Sequence, residues 1–497
     1  MADKPVKPLK PVTKTADPII SQIGDFRRYQ LFFFFIIILC KFGTGWHTLG
    51  HIFLAAPTPQ SCLTANVTDP CSDECAETEF DTSVFKSTII NEWDLTCDLK
   101  QLASLSQSIV MLGILLGSLC FGMFADRFGR RPAFLVACFM QLITGLIVCV
   151  SPYFWFYCLF RFLVAFATAG TMTASFVLLM EIVGPGKREI VAILYQIPFN
   201  LGHVSLAVFA YFIREWRWFQ FSITIFSVVF VIYICLVPES PRWLFTTGKL
   251  DKSIKILEKI AKWNKAPTDT IRPEIEAAYA ALAARQPVKK GTVLDLFRTP
   301  YLRLKTICMA NNWMVVCMVY YGTAQYVSKL GGNIFVSNLI AAIVGVPGTC
   351  LCVPMTKFLG RKRTLLLSHS LSATGLLLLV GLFGQAEIIR VACATVALFG
   401  ASVTFPNIYL YSGELFPTVV RSNGVGLCSM IGRVGSIVAP LICDLDLYGL
   451  WIAPLIFGLF SILAIVGTIF LPETRGATLP ETLEDGENFG RKKKAQQ

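Results

Sequence analysis

With 497 residues the chain is long enough for three soluble domains, but 54% of those residues are hydrophobic and only 15% are charged. Soluble domains of that composition would expose apolar surface they could not cover, which excludes a water-soluble enzyme or binding module. The formal charge of +12 therefore calls for a topological reading, and no nucleic-acid partner is expected from it.

The first 28 residues carry Lys4, Lys7, Lys10, Lys14, Arg27 and Arg28, and no apolar run begins before Leu31. No cleavable signal peptide is read there, so residues 1–30 are expected to form a cytosolic tail. Apolar stretches then recur at 31–54, 103–125, 133–151, 154–180, 189–212 and 217–237. After a charged segment over 238–303 they return at 304–327, 333–355, 364–384, 387–412, 423–444 and 449–471, leaving a tail over 472–497. Each can cross roughly 30 Å of hydrocarbon, and each must be a helix because lipid offers the backbone no hydrogen-bond partner. The expectation is an all-α polytopic membrane protein of twelve transmembrane helices in two six-helix bundles, 31–237 and 304–471, with both termini cytosolic. Arg127, Arg130, Arg131, Lys187, Arg188, Lys357, Arg361, Lys362, Arg363, Arg421 and the Arg491–Lys494 run then all fall on the cytosolic side, as the positive-inside rule requires.

The loop 57–102 is long and acidic and holds Cys62, Cys71, Cys75 and Cys97, which suggests two disulfides with three pairings open. Asn66-Val67-Thr68 in the same loop is a glycosylation sequon on the exoplasmic side. The other 13 cysteines lie in or beside apolar spans and read as small core residues, so no metal site is expected. The four histidines, His47, His51, His203 and His369, form no catalytic spacing with an acid or cysteine, so neither an enzyme nor a cofactor is expected. Within the segment 238–303, Leu250 to Lys265 and Glu274–Ala284 read as a solvated helix pair.

Three loop motifs repeat. Gly129 of Asp126-Arg-Phe-Gly-Arg-Arg131 and Gly360 of Lys357-Phe-Leu-Gly-Arg-Lys362 are 231 apart; Glu181 and Glu414, each seven before an arginine, are 233 apart; Pro238-Glu-Ser and Pro472-Glu-Thr are 234 apart. Two parallel repeats of this kind can rock about a midplane site. Asp126, Arg130, Glu181, Arg188, Arg361, Glu414 and Arg421 are expected to form ion pairs when the cytosolic face is closed.

The Gly122–Arg131 stretch resembles the loop signature of the major facilitator superfamily. Val237-Pro-Glu-Ser-Pro-Arg-Trp-Leu244, Asn91-Glu-Trp-Asp-Leu95, Glu414-Leu-Phe-Pro-Thr-Val-Val-Arg421 and Leu471-Pro-Glu-Thr474 are similar to motifs of its organic cation, anion and zwitterion (carnitine) transporters. The likeness runs along nearly the whole chain. It implies a multi-pass carrier of small organic ions in the plasma membrane, monomeric, with Na⁺ or a proton as a coupling ion. Within that family Tyr195-Gln196 and Trp216-Arg-Trp218 look most like the cation transporters, but Gly345 and Arg433 stand where those carry acids.

Arg433 and Lys41 fall near the middle of their spans, and no acid lies at comparable depth. A buried cation there costs at least roughly 2.5 kcal/mol by insertion scales, so a wet cavity or a negative partner is expected. Arg433 offers a planar fork suited to a carboxylate. Trp313 and Tyr320, two turns apart, share a helix face with Tyr321 beside them, and aromatic faces attract ammonium groups. Gln196, Phe199, Trp313 and Tyr320 match binding positions that the resemblance implies. The reading is a carrier for a carnitine-like or β-amino-acid-like zwitterion, with an organic anion or cation as the alternative and a non-transporting sensor as the remote one.

Overall fold

The structure, a computed structural model, describes residues 20, 23–63, 71–72, 75, 77–284 and 291–490. Asn66, the N-terminal lysines and the Arg491–Lys494 run lie outside the described residues. The chain forms two six-helix bundles. Spans 1 to 6 are Arg28–Leu54, Cys97–Phe128, Arg130–Val148, Phe154–Ile182, Pro185–Phe212 and Trp216–Leu236. Span 7 is Pro300–Tyr326, and spans 8 to 12 are Ile334–Phe358, Arg361–Gly381, Glu387–Leu415, Arg421–Leu447 and Ile452–Ile469.

Among the described residues eleven of these helices are apolar enough to cross a membrane by composition, and span 7 is not. Arg303, Lys305, Asn311 and Asn312 lower its hydropathy, yet most of its 27 residues are buried. Spans 10, 11 and 12 surround it. A helix enclosed by protein needs no lipid-compatible surface, so it can carry polar residues inward. Span 5 breaks at Tyr195–Gln196, because Pro198 has no N–H to continue the ladder.

Spans 2 and 11 pack against each other across the junction of the halves, as do spans 5 and 8. On one face of the molecule the loop after span 1 is tied by Cys62–Cys75 and Cys71–Cys97, so the pairing left open by the sequence is resolved. This disulfide face is closed between the halves: Phe335 of span 8 stacks on Phe53 of span 1 at 6.1 Å and meets Phe85 at 5.3 Å. The opposite face carries the Gly129 and Gly360 turns.

The segment between the halves corrects one expectation. Helix Leu250–Asn264 is not simply solvated: Ile254, Leu257, Ile260 and Ala261 are buried against the first half. Asn264 Oδ1 accepts the backbone N–H of Tyr29 at 2.9 Å, which caps the start of span 1. The tail does the same for span 7. Helix Leu483–Asn488 folds back so that Glu487 accepts the N–H groups of Tyr301 and Leu302 at 3.0 and 2.9 Å. Desolvation pushes the Glu487 carboxyl up, but the hydrogen bonds from the Leu302 and Tyr301 amides and the charge of Lys305 help to outweigh it and hold it below the usual range.

Candidate functional site

A cavity of about 490 Å³ opens between the halves, lined by spans 1, 2, 4 and 5 of the first and spans 7, 8, 10 and 11 of the second. It reaches Ser422 and Val425 near the turn-bearing end of span 11, while the disulfide face above it is shut.

Arg433 and Lys41 both face this cavity, from opposite halves. Spans 7 and 11 lie so close that a Cβ on Gly435 would sit 2.3 Å from the carbonyl oxygen of Met314. That contact fixes which side of span 11 meets span 7 and leaves Arg433 directed to the cavity, beside Tyr321, Tyr409 and Cys317. Lys41 Nζ contacts Gln196 Oε1 at 3.4 Å and lies over the rings of Tyr195 and Phe199, 4.6 and 5.7 Å from their centroids. Among the described residues neither cation forms an ion pair with an acid, and no Asp or Glu lines the cavity. The two charges are held in place by aromatic rings and an amide, which screen them without neutralising them.

Of the other residues singled out from the sequence, Gln196, Phe199, Tyr320 and Tyr321 line the cavity. Trp313 does not. Its ring packs edge-on against Tyr409 at 4.4 Å, so Tyr409 of span 10 covers it from the cavity. The helical spacing that gives Trp313 and Tyr320 one face says nothing of what a neighbouring span lays over part of that face. The halves meet at Gly345: Asn200 of span 5 donates to Gly345 O at 3.3 Å and to Thr349 Oγ1 at 2.7 Å, and accepts from Tyr320 at 3.0 Å.

Asn200 is thus a site residue that sequence reasoning missed, although its place one turn after Gln196 on the same helix face was a usable signal. Phe405 and Tyr409 were missed because nothing distinguishes them from the other aromatics of an apolar span. Arg161 of span 4 is a third buried intrahelical cation, also missed; it donates to Gln220 and to the carbonyl of His47 at 3.4 and 3.2 Å. It does not line the central cavity.

The charged residues at the turns pair mainly within each half. Arg130 meets Glu181 at 3.2 Å and Asp126 at 3.1 Å; Arg361 meets Glu414 at 2.9 Å. Arg188 donates to the carbonyls of Met180 and Val183, and Arg421 to Phe416 O and Thr418, so these two arginines close the ends of spans 4 and 10. Among the described residues the ion pair that crosses between halves on this face is Arg361–Glu189 at 3.1 Å, and Glu189 was not foreseen. In this conformation the seven residues and Glu189 form two local networks with one bridge, since glutamates 181 and 414 lie nearest their own half's turn.

Residues 31–485 match the family model described as sugar (and other) transporter. The chain is 33% identical to an organic cation transporter protein of Drosophila melanogaster over 96% of its own length and 95% of the relative's. It is 36% identical to solute carrier family 22 member 12 of Homo sapiens, covering 86% of this chain and 77% of that one. Among solved structures, a proton:xylose symporter of the major facilitator superfamily aligns with a TM-score of 0.68 at 18% identity over 92% of this chain and 98% of that chain, a likeness of fold. The relatives are transporters and not enzymes, and the solved symporter shares the fold. The chain is therefore a multi-pass membrane transporter that belongs to the organic cation and anion carriers, the solute carrier 22 branch of the major facilitator superfamily.

Proposed function

We propose that this transporter carries a small zwitterion, with a carboxylate at one end and an amine at the other, by alternating access through the central cavity. The observation that supports this most directly is a pair of cavity cations, Arg433 and Lys41, without an acid beside them. The carboxylate goes to Arg433, whose fork donates two parallel hydrogen bonds. The ammonium goes to the rings of Tyr320 and Phe405, which line the same cavity and have neither cation over them. Carnitine-like and β-amino-acid-like molecules have that shape. Lys41 favours a second reading, an organic anion with two negative groups, one for each cation. A simple organic cation would face two like charges, a repulsion of about 4 kcal/mol each at 4 Å and an effective dielectric of 20.

In this reading the disulfide face is exoplasmic, the termini are cytosolic, the membrane is the plasma membrane, and the conformation described is closed to the outside. The protein works as a monomer with Na⁺ or a proton as coupling ion. Uptake of labelled carnitine, a dicarboxylate and choline into proteoliposomes by native protein and by Arg433→Ala and Lys41→Ala tests it. The zwitterion reading expects carnitine flux to fall with Arg433→Ala and to survive Lys41→Ala; dicarboxylate flux lost in both variants favours the anion. Net flux of none of the three, with specific binding retained, would instead make the protein a sensor.

A further inference from the structure

A second cavity, about 590 Å³, lies under the disulfide-tied loop where that loop meets both halves. Its lining includes Lys100 and Ser104 of span 2, Lys329 just after span 7, and Asp444 and Asp446 at the end of span 11. Ser104 donates to Asp444 Oδ1 at 2.6 Å, and Lys329 reaches that oxygen at 3.4 Å and Asp446 Oδ2 at 3.1 Å. Lys100 approaches Asp446 Oδ1 at 3.5 Å. Those contacts leave two oxygens short: Asp444 Oδ2 and Asp446 Oδ1 are buried with no hydrogen bond, and Asp444 as a residue is only 9% exposed. A buried carboxylate oxygen without a donor is costly, so the lining lacks a donor. With Asp81 added, three carboxylates face two lysines here, whereas the central cavity has two cations and no acid.

We propose that this vestibule is a second binding site, for an ammonium group bearing N–H, which donates to Asp444 Oδ2 and takes the place of Lys100 at Asp446. Its consequence follows from which elements the ties join. Lys100–Asp446 and Ser104–Asp444 both run from span 2 to span 11, that is, from one half to the other. Lys100 is 43% exposed and its contact is long, so it is the weakest tie and the one an arriving ammonium displaces. Occupancy of the vestibule thereby loosens the seal on the disulfide face. Ser108 of span 2 is buried and donates to Ile437 O of span 11 at 2.8 Å, one turn further along the same seam, so a cysteine placed there reports that loosening.

The test is the rate at which a hydrophilic maleimide modifies the cysteine of the Ser108→Cys variant, the background for every other variant, in the full-length protein in lipid nanodiscs, read by peptide mass spectrometry. Ethylammonium chloride should raise the rate about two- to fivefold, the scale of losing one partly exposed ion pair. The rise should persist in Arg433→Ala, which separates this site from the central one, so that failure of either leaves the other standing. Lys100→Met should raise the rate without ethylammonium. Asp444→Asn, which can keep its bond with Ser104, should abolish the ethylammonium effect, and Asp446→Asn serves as a second variant should the first not fold. Sodium chloride matching the effect at equal ionic strength, or a full ethylammonium response in both aspartate variants, would overturn the proposal.

Discussion

The two turns that open spans 3 and 9 are built alike from different residues. In the first half Glu239 accepts the backbone N–H groups of Arg130 and Arg131 at 2.9 and 3.1 Å; in the second Glu473 accepts those of Arg361 and Lys362 at 2.8 and 3.1 Å. Each glutamate caps a helix N-terminus, where orphan donors and the helix dipole both favour a carboxylate. Gly129 and Gly360 have φ of +113° and +90°, and a Cβ on either would come within 2.3 or 2.5 Å of that carboxylate. The difference lies one turn back. Asp126 in the first half pairs with Arg130, but the second half has Lys357 there, which cannot. Arg361 instead gives a nitrogen to Glu189 across the junction. The repeat thus keeps the cap that opens spans 3 and 9, and exchanges the local Asp126 partner of the first half for a tie from Arg361 to the other half.

Four substitutions probe that comparison. Gly129→Ala and Gly360→Ala should each destabilise the protein most, by about 3 kcal/mol from backbone strain plus the steric conflict with the capping carboxylate, measured as detergent thermal unfolding. Unequal losses would show that the turns are not equivalent. Glu239→Ala and Glu473→Ala should follow, at roughly 1 kcal/mol each, by the same measurement.

The N-terminal caps of spans 1 and 7 differ in a way that pH reveals. Asn264 does not titrate, whereas Glu487 does, with its folded value held below the ordinary 4.5. Its contribution is therefore complete above that ordinary value and is lost as pH falls through the depressed one. Hydrogen exchange should accelerate over residues 483–490 on acidification while residues 250–264 stay protected; equal acceleration of both would refute the assignment. Smallest is Glu189→Gln, which removes the cross-half pair and should shift stability by no more than about 0.5 kcal/mol. Its visible effect should be faster labelling of a cysteine placed at Ser422, whereas Asp126→Asn should leave that labelling unchanged.

Much of this was legible in the sequence because the bilayer constrains it. Spans of about 20 apolar residues, the motif offsets near 232 and the cysteine-rich loop identify two six-helix bundles before any packing is known. Arg433 and Lys41 stand out for the same reason, since charge inside an apolar run has few explanations. The rest depended on which helix lies over which. Trp313 is covered by Tyr409, Asn200 joins span 5 to spans 7 and 8, and Glu189 outreaches its own half, and none of these follows from periodicity within one helix. The vestibule was invisible because its residues come from four separate segments of chain.

The central claim is that Arg433 selects a carboxylate on the cargo, and Arg433→Asp tests it by reversing the charge at one point of the cavity wall. Proteoliposome uptake of carnitine and choline should be compared as a ratio, so that changes in expression and folding cancel. The account predicts a ratio favouring carnitine in the native protein and a shift toward choline of tenfold or more in the variant, about the value of a charge-assisted hydrogen bond. An unchanged ratio would contradict it and remove Arg433 from the binding site.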